Sequence, residues 1–285
     1  MPKESYNFKL GSFECLVIRD TISPLELDTL FSNLKVGQME PLLRNYNIPA
    51  GDIFEVMCLL AKTVEHNVLI DTGWGVGEQP NSGRLMPILR ANKVQPEKID
   101  TVIISHGHPD HIGGNTDDKC QPLFPNACYV MLRKEWDFWT SMPELPQTEA
   151  SVKQKMLSHV RKNLIPIRDH FAMIDYETEI VPGIRFVDAP GHSPYHCMLN
   201  ISSGAEQLIY VSDIIHHQLQ IVRSDYCVFA DFDSEQARRT RAEAIPWIAS
   251  NNLLVFACHF PFPGLGHIIK KVNLYDWQPV EIKNS

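Results

Sequence analysis

Short apolar runs recur along this chain, separated by stretches with helical spacing. "VLI" (68–70), "TVIIS" (101–105), "IRFVDA" (184–189), "QLIYVS" (207–212) and "NLLVFAC" (252–258) have the length and composition of buried strands. Between them, "SGRLMPILRANKV" (82–94) puts Leu85, Ile88 and Leu89 on one helical face. "LRKEWDFWTSM" (132–142) puts Trp136 and Trp139 on one face, where core packing is the expected role. "SEQARRTRAEAIPWIAS" (234–250) begins at Ser234, a candidate N-cap. Strands mixed with helices predict an α/β fold, with layered sheets and helices outside them.

Two segments read as insertions. Residues 22–50 carry the helical pattern "SPLELDTLFSNLKV" followed by a proline-containing stretch, and residues 143–180 form a second polar, helical excursion. Each suits a lid or a subunit contact as well as it suits an ordinary surface helix.

Chemistry enters where the strands stop. "VIISHGHPDH" (102–111) crowds His106, His108, Asp110 and His111 behind a strand. Alternation at a strand end points His106 and His108 the same way. The turn at Gly107 and Pro109 brings Asp110 and His111 round, and Gly113 and Gly114 permit close backbone approach. "FVDAPGH" ends in His192, "LIYVSD" in Asp213 and "LLVFACH" in His259. Imidazoles and carboxylates at separate strand ends are a donor set for zinc or a similar divalent ion at one edge of a sheet.

Composition narrows the class. The 285 residues are 44% hydrophobic and 21% charged, with a formal net charge of −8. Such a chain buries a sizeable core and is a poor general binder of nucleic acid or anionic membrane. No apolar run approaches the ~20 residues of a membrane span. The opening "MPKESYNFKLGSFECL" does not read as a signal peptide, and none of the seven cysteines sits in a C-x-x-C pair. A cytoplasmic chain with free thiols is therefore expected. No cysteine is given a catalytic role; alternation along its strand predicts that Cys258 points away from the face of His259.

From Val17 to Trp277 the sequence resembles the metallo-β-lactamase superfamily. "LIDTGWG" (69–75), "SHGHPDHIGG" (105–114), "APGHSPYH" (189–196), "VSDIIH" (211–216) and "ACHFPFPGLGH" (257–267) carry the resemblance. It implies one domain over 1–285, an αββα sandwich of two pseudo-equivalent halves, with 22–50 and 143–180 as lid or dimer insertions. It implies two metal ions, most simply zinc, with manganese, iron or cobalt also suited to the donors. His106, His108 and His192 would hold the first, Asp110, His111 and His259 the second, and Asp213 would bridge. Asp71 resembles the family's aspartate that orients a ligand histidine.

Departures point to a branch. His108 stands where diiron flavoproteins carry glutamate, and Asp213 supplies the bridging carboxylate that true metallo-β-lactamases lack. Glyoxalase II-like thioesterases add a helical C-terminal domain, whereas 26 residues (260–285) follow His259 here. "FKLGSFECLVIRD", "SDIIHHQLQ" and "HFPFPGLGHI" resemble the quorum-quenching lactonase and methyl-parathion-hydrolase-like branch. His216 stands where smaller lactonases carry tyrosine, a replacement similar to that in the larger lactonases and parathion-hydrolase-like enzymes.

The implied reaction is opening of a lactone, such as an acyl-homoserine lactone, by a metal-bridging hydroxide. Asp110 is the expected proton carrier to the leaving alkoxide. His216 and His267 are candidate donors to the substrate carbonyl, or else structural histidines. Trp74, Phe262 and Leu265 are candidates for an apolar substrate pocket, or else core. Neutral phosphotriester, aryl-ester or thioester hydrolysis is the alternative, and a non-catalytic binding protein has no need of seven ligands. A homodimer is expected.

Overall fold

The long hairpin of β1 (Ser5–Leu10) and β2 (Phe13–Pro24) opens the first sheet. β3 (Ile53–Lys62) and β4 (Asn67–Ile70) extend it antiparallel, and β5 (Thr101–Ile103), β6 (Cys128–Leu132) and β7 (Phe171–Ile174) continue it in parallel. The second sheet runs in the order β14-β13-β12-β11-β10-β9-β8. Its strands are β8 (Glu179–Val181), β9 (Ile184–Asp188), β10 (Cys197–Ser203), β11 (Glu206–Tyr210), β12 (Leu254–Phe256), β13 (Leu265–Lys270) and β14 (Tyr275–Pro279). Here β11 and β12 pair in parallel and the remaining neighbours antiparallel. This computed structural model describes residues 3–24, 27–49, 53–145 and 149–282.

Strand alternation separates three cores. On β3, Met57, Leu59 and Ala61 enter the core between the sheets, while Cys58 and Leu60 face the outer helices. On β11, Leu208 and Tyr210 point inward, and Ile209 packs outward. Because both faces are covered, the strands read as continuous apolar runs rather than alternating ones.

The helices in chain order are α1 (Leu27–Leu30), α2 (Met39–Tyr46), α3 (Leu85–Ala91), α4 (Pro109–Ile112), α5 (Arg133–Thr140), α6 (Ala150–Asn163), α7 (Leu219–Val222) and α8 (Ser234–Ser250). Leu85, Ile88 and Leu89 of α3, Trp136 and Trp139 of α5, and Leu157 and Val160 of α6 pack on the first sheet. Ala244, Ile245 and Ile248 of α8 pack on the second. The layers are therefore helix, sheet, sheet, helix. None of the helices described is long and apolar enough to cross a membrane.

Three expectations shift. Asp233, not Ser234, caps α8: it is extended at φ −127°, and its side chain accepts the Gln236 N–H. Among the described residues the pattern at 23–36 yields only the short α1, with Ser23 and Pro24 held in β2 against Phe54 and Ile53. Segment 143–180 is not all insertion, since it includes the edge strand β7 and begins β8. From segment 22–50, Leu30, Phe31, Met39, Leu43 and Ile48 form a satellite cluster with Leu219, Tyr226 and Val228.

Candidate metal centre

Parallel strands fan their C-terminal ends toward one edge, and the strand-end residues meet there. β5 delivers His106 and His108, and α4 turns Asp110 and His111 back toward them. The loop after β9 delivers His192, the turn after β11 Asp213, and the loop after β12 His259. All seven are buried. One donor atom from each of His106, His108, His192 and Asp213 lies within 4.8 Å of the others, and the same holds for His111, Asp213, Cys258 and His259.

Asp213 divides its two oxygens between these groups. Oδ1 is 3.1 Å from His111 Nε2 and 3.1 Å from His259 Nε2. Oδ2 is 3.3 Å from His192 Nε2 and 3.7 Å from His106 Nε2. Asp110 sits slightly further out: its Oδ2 is 3.7 Å from His111 Nε2 and 3.8 Å from His259 Nε2.

On His106, His111, His192 and His259 the far nitrogen is already occupied, which aims the near one inward. His111 Nδ1 is 2.8 Å from Asp71 Oδ2, His192 Nδ1 is 3.0 Å from Asp231 Oδ1, and His259 Nδ1 is 2.8 Å from the Glu55 carbonyl. The ring of His259 also stacks on Phe54 at 4.3 Å. His106 Nδ1 meets Ser105 Oγ at 3.1 Å, and His108 presents Nδ1 at 2.8 Å from His192 Nε2. Nε2 of His106 and of His111 are buried without a hydrogen-bond partner. Buried imidazole lone pairs converging on a carboxylate are a donor set that divalent cations satisfy.

The electrostatics favour positive charge at this spot. Burial works against a charge on His192, but Asp213 and Asp231 outweigh it and hold the group up at about 9. His111 is likewise held well above its usual value: burial opposes, and Asp213, Asp110 and Asp71 prevail. His196 goes the other way, pulled down to about 3 by burial first and then by His192. A neutral His196 can donate from Nδ1 to the Ala189 carbonyl while Nε2 accepts the Asp213 N–H, at 3.0 and 3.2 Å.

Asp71 gathers Ser105 N–H and Oγ–H, the Tyr210 hydroxyl at 2.6 Å and His111. Asp231, Tyr210 and His196 escaped the sequence reading. Asp231 lies 39 residues from His192 in a loop without periodicity, and His196 lies in "APGHSPYH" with no strand-end spacing to mark it.

Above the cluster opens a cavity of about 330 Å³. His108, Asp110, His192, Asp213 and His216 form its floor, and Leu30, Phe54, Trp74, Val152, Met156, Val228 and Phe229 its walls. His216 Nε2 is 3.1 Å from Asp213 Oδ2, and its Nδ1 has no partner. The backbone of Trp74 is fixed by its main-chain N–H, which donates to Asp20 Oδ2 at 3.0 Å.

Three other pocket candidates lie elsewhere. Leu265 is 2% exposed and packs between the sheets, because strand alternation in β13 turns it inward. Phe262 packs against that same core under the Arg19 guanidinium, 4.3 Å from its ring centroid. His267 sits within β13 opposite Gln278 and does not line the cavity. Cys258 is also displaced from expectation. β12 ends at Phe256, so alternation no longer governs residue 258, and its Sγ lies 3.6 Å from Asp213 Oδ1.

Residues 51–259 match the sequence model of the metallo-beta-lactamase superfamily. The chain belongs to this superfamily. An N-acyl homoserine lactonase of Bacillus cereus is 27% identical over 214 residues, 68% of this chain and 77% of that protein. Among solved structures, AidC, a dizinc quorum-quenching lactonase in complex with a product, aligns at a TM-score of 0.89 and 27% identity, covering 98% of both chains. A hydrolase of the beta-lactamase superfamily, AbOPH, aligns at 0.90 over the whole of both chains; at 24% identity this likeness speaks for the fold.

Proposed function

We propose that this superfamily member is a dinuclear metal-dependent hydrolase that opens acyl lactones of the N-acyl homoserine lactone class. The observation that carries the reading is the division of Asp213 between two histidine groups at the floor of an apolar cavity. The lactonase relatives support the choice of substrate.

His106, His108 and His192 would hold one cation, Asp110, His111 and His259 the other, and Asp213 both. A bound pair supplies a water ionised at neutral pH and Lewis acidity for the ester oxygens. Zinc suits these donors and is the metal of the AidC relative.

The chain's own residues do the remainder. The walls at Leu30, Phe54, Trp74, Met156 and Val228 take the acyl chain and exclude water from it. His216, drawn down to about 4 chiefly by burial, is neutral near pH 7 and keeps one N–H. Carried on Nε2, which lies 3.1 Å from Asp213 Oδ2 at the cavity floor, that N–H would turn to the substrate carbonyl oxygen as it gains negative charge. Asp110, at the cavity floor, takes the proton of the hydroxyl group added to the carbonyl carbon and passes it to the ring oxygen as the C–O bond breaks. In a lactone that oxygen stays tethered to the acyl fragment, so it departs within reach of the same carboxyl.

Among the described residues the cavity lining carries one lysine, Lys155, and no arginine, which disfavours phosphomonoesters. The same apolar walls favour, as a second reading, a neutral phosphotriester or aryl ester. The test is kcat/KM for a long-chain acyl-homoserine lactone against an aryl dialkyl phosphotriester in one zinc-loaded preparation. The lactone is expected to win; a phosphotriester preference of about a hundredfold or more contradicts the assignment.

The working unit in this reading is a cytoplasmic homodimer. Free cysteines suit a reducing compartment. Both excursions border the cavity, through Leu30 and through Val152 and Met156, and Val36, Val152 and Phe229 are exposed there or nearby in sequence. Light scattering at micromolar protein is expected to give twice 32.5 kDa; the single-chain mass refutes the dimer.

A further inference from the structure

Glu135 lies on α5, outside the seven ligands, yet its carboxylate is fully buried. Among the described residues it has no cationic partner. It is instead ringed by donors. Oε1 accepts the Gly107 N–H at 3.2 Å and the Trp139 Nε1–H at 2.6 Å. Oε2 accepts the Tyr195 N–H at 3.2 Å, and the Ser193 hydroxyl donates to the same carboxylate.

These donors come from two places that matter. Gly107 stands between His106 and His108; Ser193 follows His192. One carboxylate thus ties the loop after β5, in the first sheet, to the loop after β9, in the second. Trp139, fixed by the same carboxylate, sets its ring edge-on to His108 at 5.1 Å between centroids. The approach is close enough that a Cβ on Gly107 would fall 2.3 Å from the Trp139 ring. His106, His108 and His192 are the three histidines assigned above to the first cation, so the geometry of that one position depends on how the two loops meet.

We infer that Glu135 is a positioning residue for the first metal position, holding its histidines in register across the two halves of the sandwich. The inference rests on the two-metal reading. It assigns Glu135 no contact with substrate or metal. Its four donors satisfy the carboxylate locally, and two of them, Gly107 and Ser193, stand beside His106, His108 and His192, so a well-held carboxylate and well-placed histidines favour one another. The second position is supported separately, by Asp71 on His111 and the Glu55 carbonyl on His259.

The test is Glu135→Gln, beside Ser193→Ala, which removes one arm of the clamp and leaves the helix intact. An amide keeps the size of the carboxylate, but its NH₂ cannot accept a backbone N–H. Metal affinity is measured by competition with a chromophoric chelator. The weakened position is assigned in cobalt-loaded protein from paramagnetically shifted imidazole N–H signals. His106 and His192 report the first position through Nδ1–H; His111 and His259 report the second.

Glu135→Gln is expected to weaken one cation by about 10–100-fold, the usual cost of losing support behind a ligand, with the His106 and His192 signals lost first. Ser193→Ala is expected to weaken the same cation by a smaller factor. Two cations bound as in wild type by both variants overturn the inference, as does an equal weakening of both positions by Ser193→Ala. If Glu135→Gln fails to fold, Ser193→Ala decides alone. Wild-type protein that binds no cation pair contradicts the underlying reading instead.

Discussion

Replacing Asp231 by asparagine separates two jobs that one carboxylate performs. Its Oδ1 holds His192 Nδ1 at 3.0 Å. Its Oδ2 accepts the Val228 N–H at 3.2 Å and faces Arg241 Nη1 at 3.5 Å. Both side chains of the ion pair are 0% exposed. Among the described residues Asp231 is the one carboxylate that faces Arg241; the guanidinium otherwise donates to the carbonyls of Ser224, Ile214 and Tyr226. Removing one partner of a buried pair costs about 3–5 kcal/mol. The three carbonyl acceptors place Asp231→Asn near the lower end, about 3 kcal/mol. At about 2–4 °C per kcal/mol for a chain of this size, the melting temperature should fall by about 6–12 °C. Separately, loss of the charge behind His192 should weaken the first cation by about 10–100-fold, or about 1.4–2.7 kcal/mol. Melting in excess chelator reads the first effect, and the stabilisation added by zinc reads the second through mass action. A variant that melts early yet binds both cations as tightly as wild type refutes the claim that Asp231 orients His192.

Trp74→Ala and Met156→Ala should raise KM for long-chain lactones more than for short ones, whereas Leu265→Ala should cost about 2–5 kcal/mol of stability and leave chain-length preference unchanged; a selectivity scan with melting curves distinguishes them. His216→Ala should lower kcat by about 10–1000-fold with both cations retained by elemental analysis, and loss of a cation would instead make it a support of the metal site. Burial pulls His217 down to about 4, and its Nδ1 accepts the Leu219 N–H at 3.1 Å. A histidine depressed on folding binds more protons unfolded, so its contribution is complete above about pH 6.5 and fades as pH falls toward 4. His217→Asn should therefore flatten part of the acid loss in a melting-temperature profile over that window; an unchanged slope contradicts it.

The convergence of these histidines and aspartates was legible because they follow apolar strands, and strand ends at one sheet edge converge. "TVIIS", "LIYVS" and "LLVFAC" announce β5, β11 and β12 before His106, Asp213 and His259 appear. The residues behind that cluster were not legible in the same way. Glu135 and Asp231 touch loops 28 and 39 residues away, and the packing of each half's helices and loops beside its own strand ends, not a local periodicity, defines those contacts. Pocket membership failed where nearness in sequence to His259 stood in for direction. β13 begins at Leu265 and turns it between the sheets, while the walls come from Phe54, Trp74, segments 22–50 and 143–180, and the 228–230 turn. The short α1 shows the same limit: helical spacing at 23–36 yielded to the pairing of β2 with β3.

The measurement that bears most directly on the account is a zinc titration of chelator-stripped protein, with lactone turnover recorded at every point, for wild type and Asp213→Ala. Because Asp213 gives one oxygen to each histidine group, wild type should bind two equivalents and gain most of its turnover with the second. Asp213→Ala should lose tight binding at both positions together. Full turnover at one equivalent, or an Asp213→Ala protein that keeps one position at wild-type affinity, would contradict a centre shared through this carboxylate.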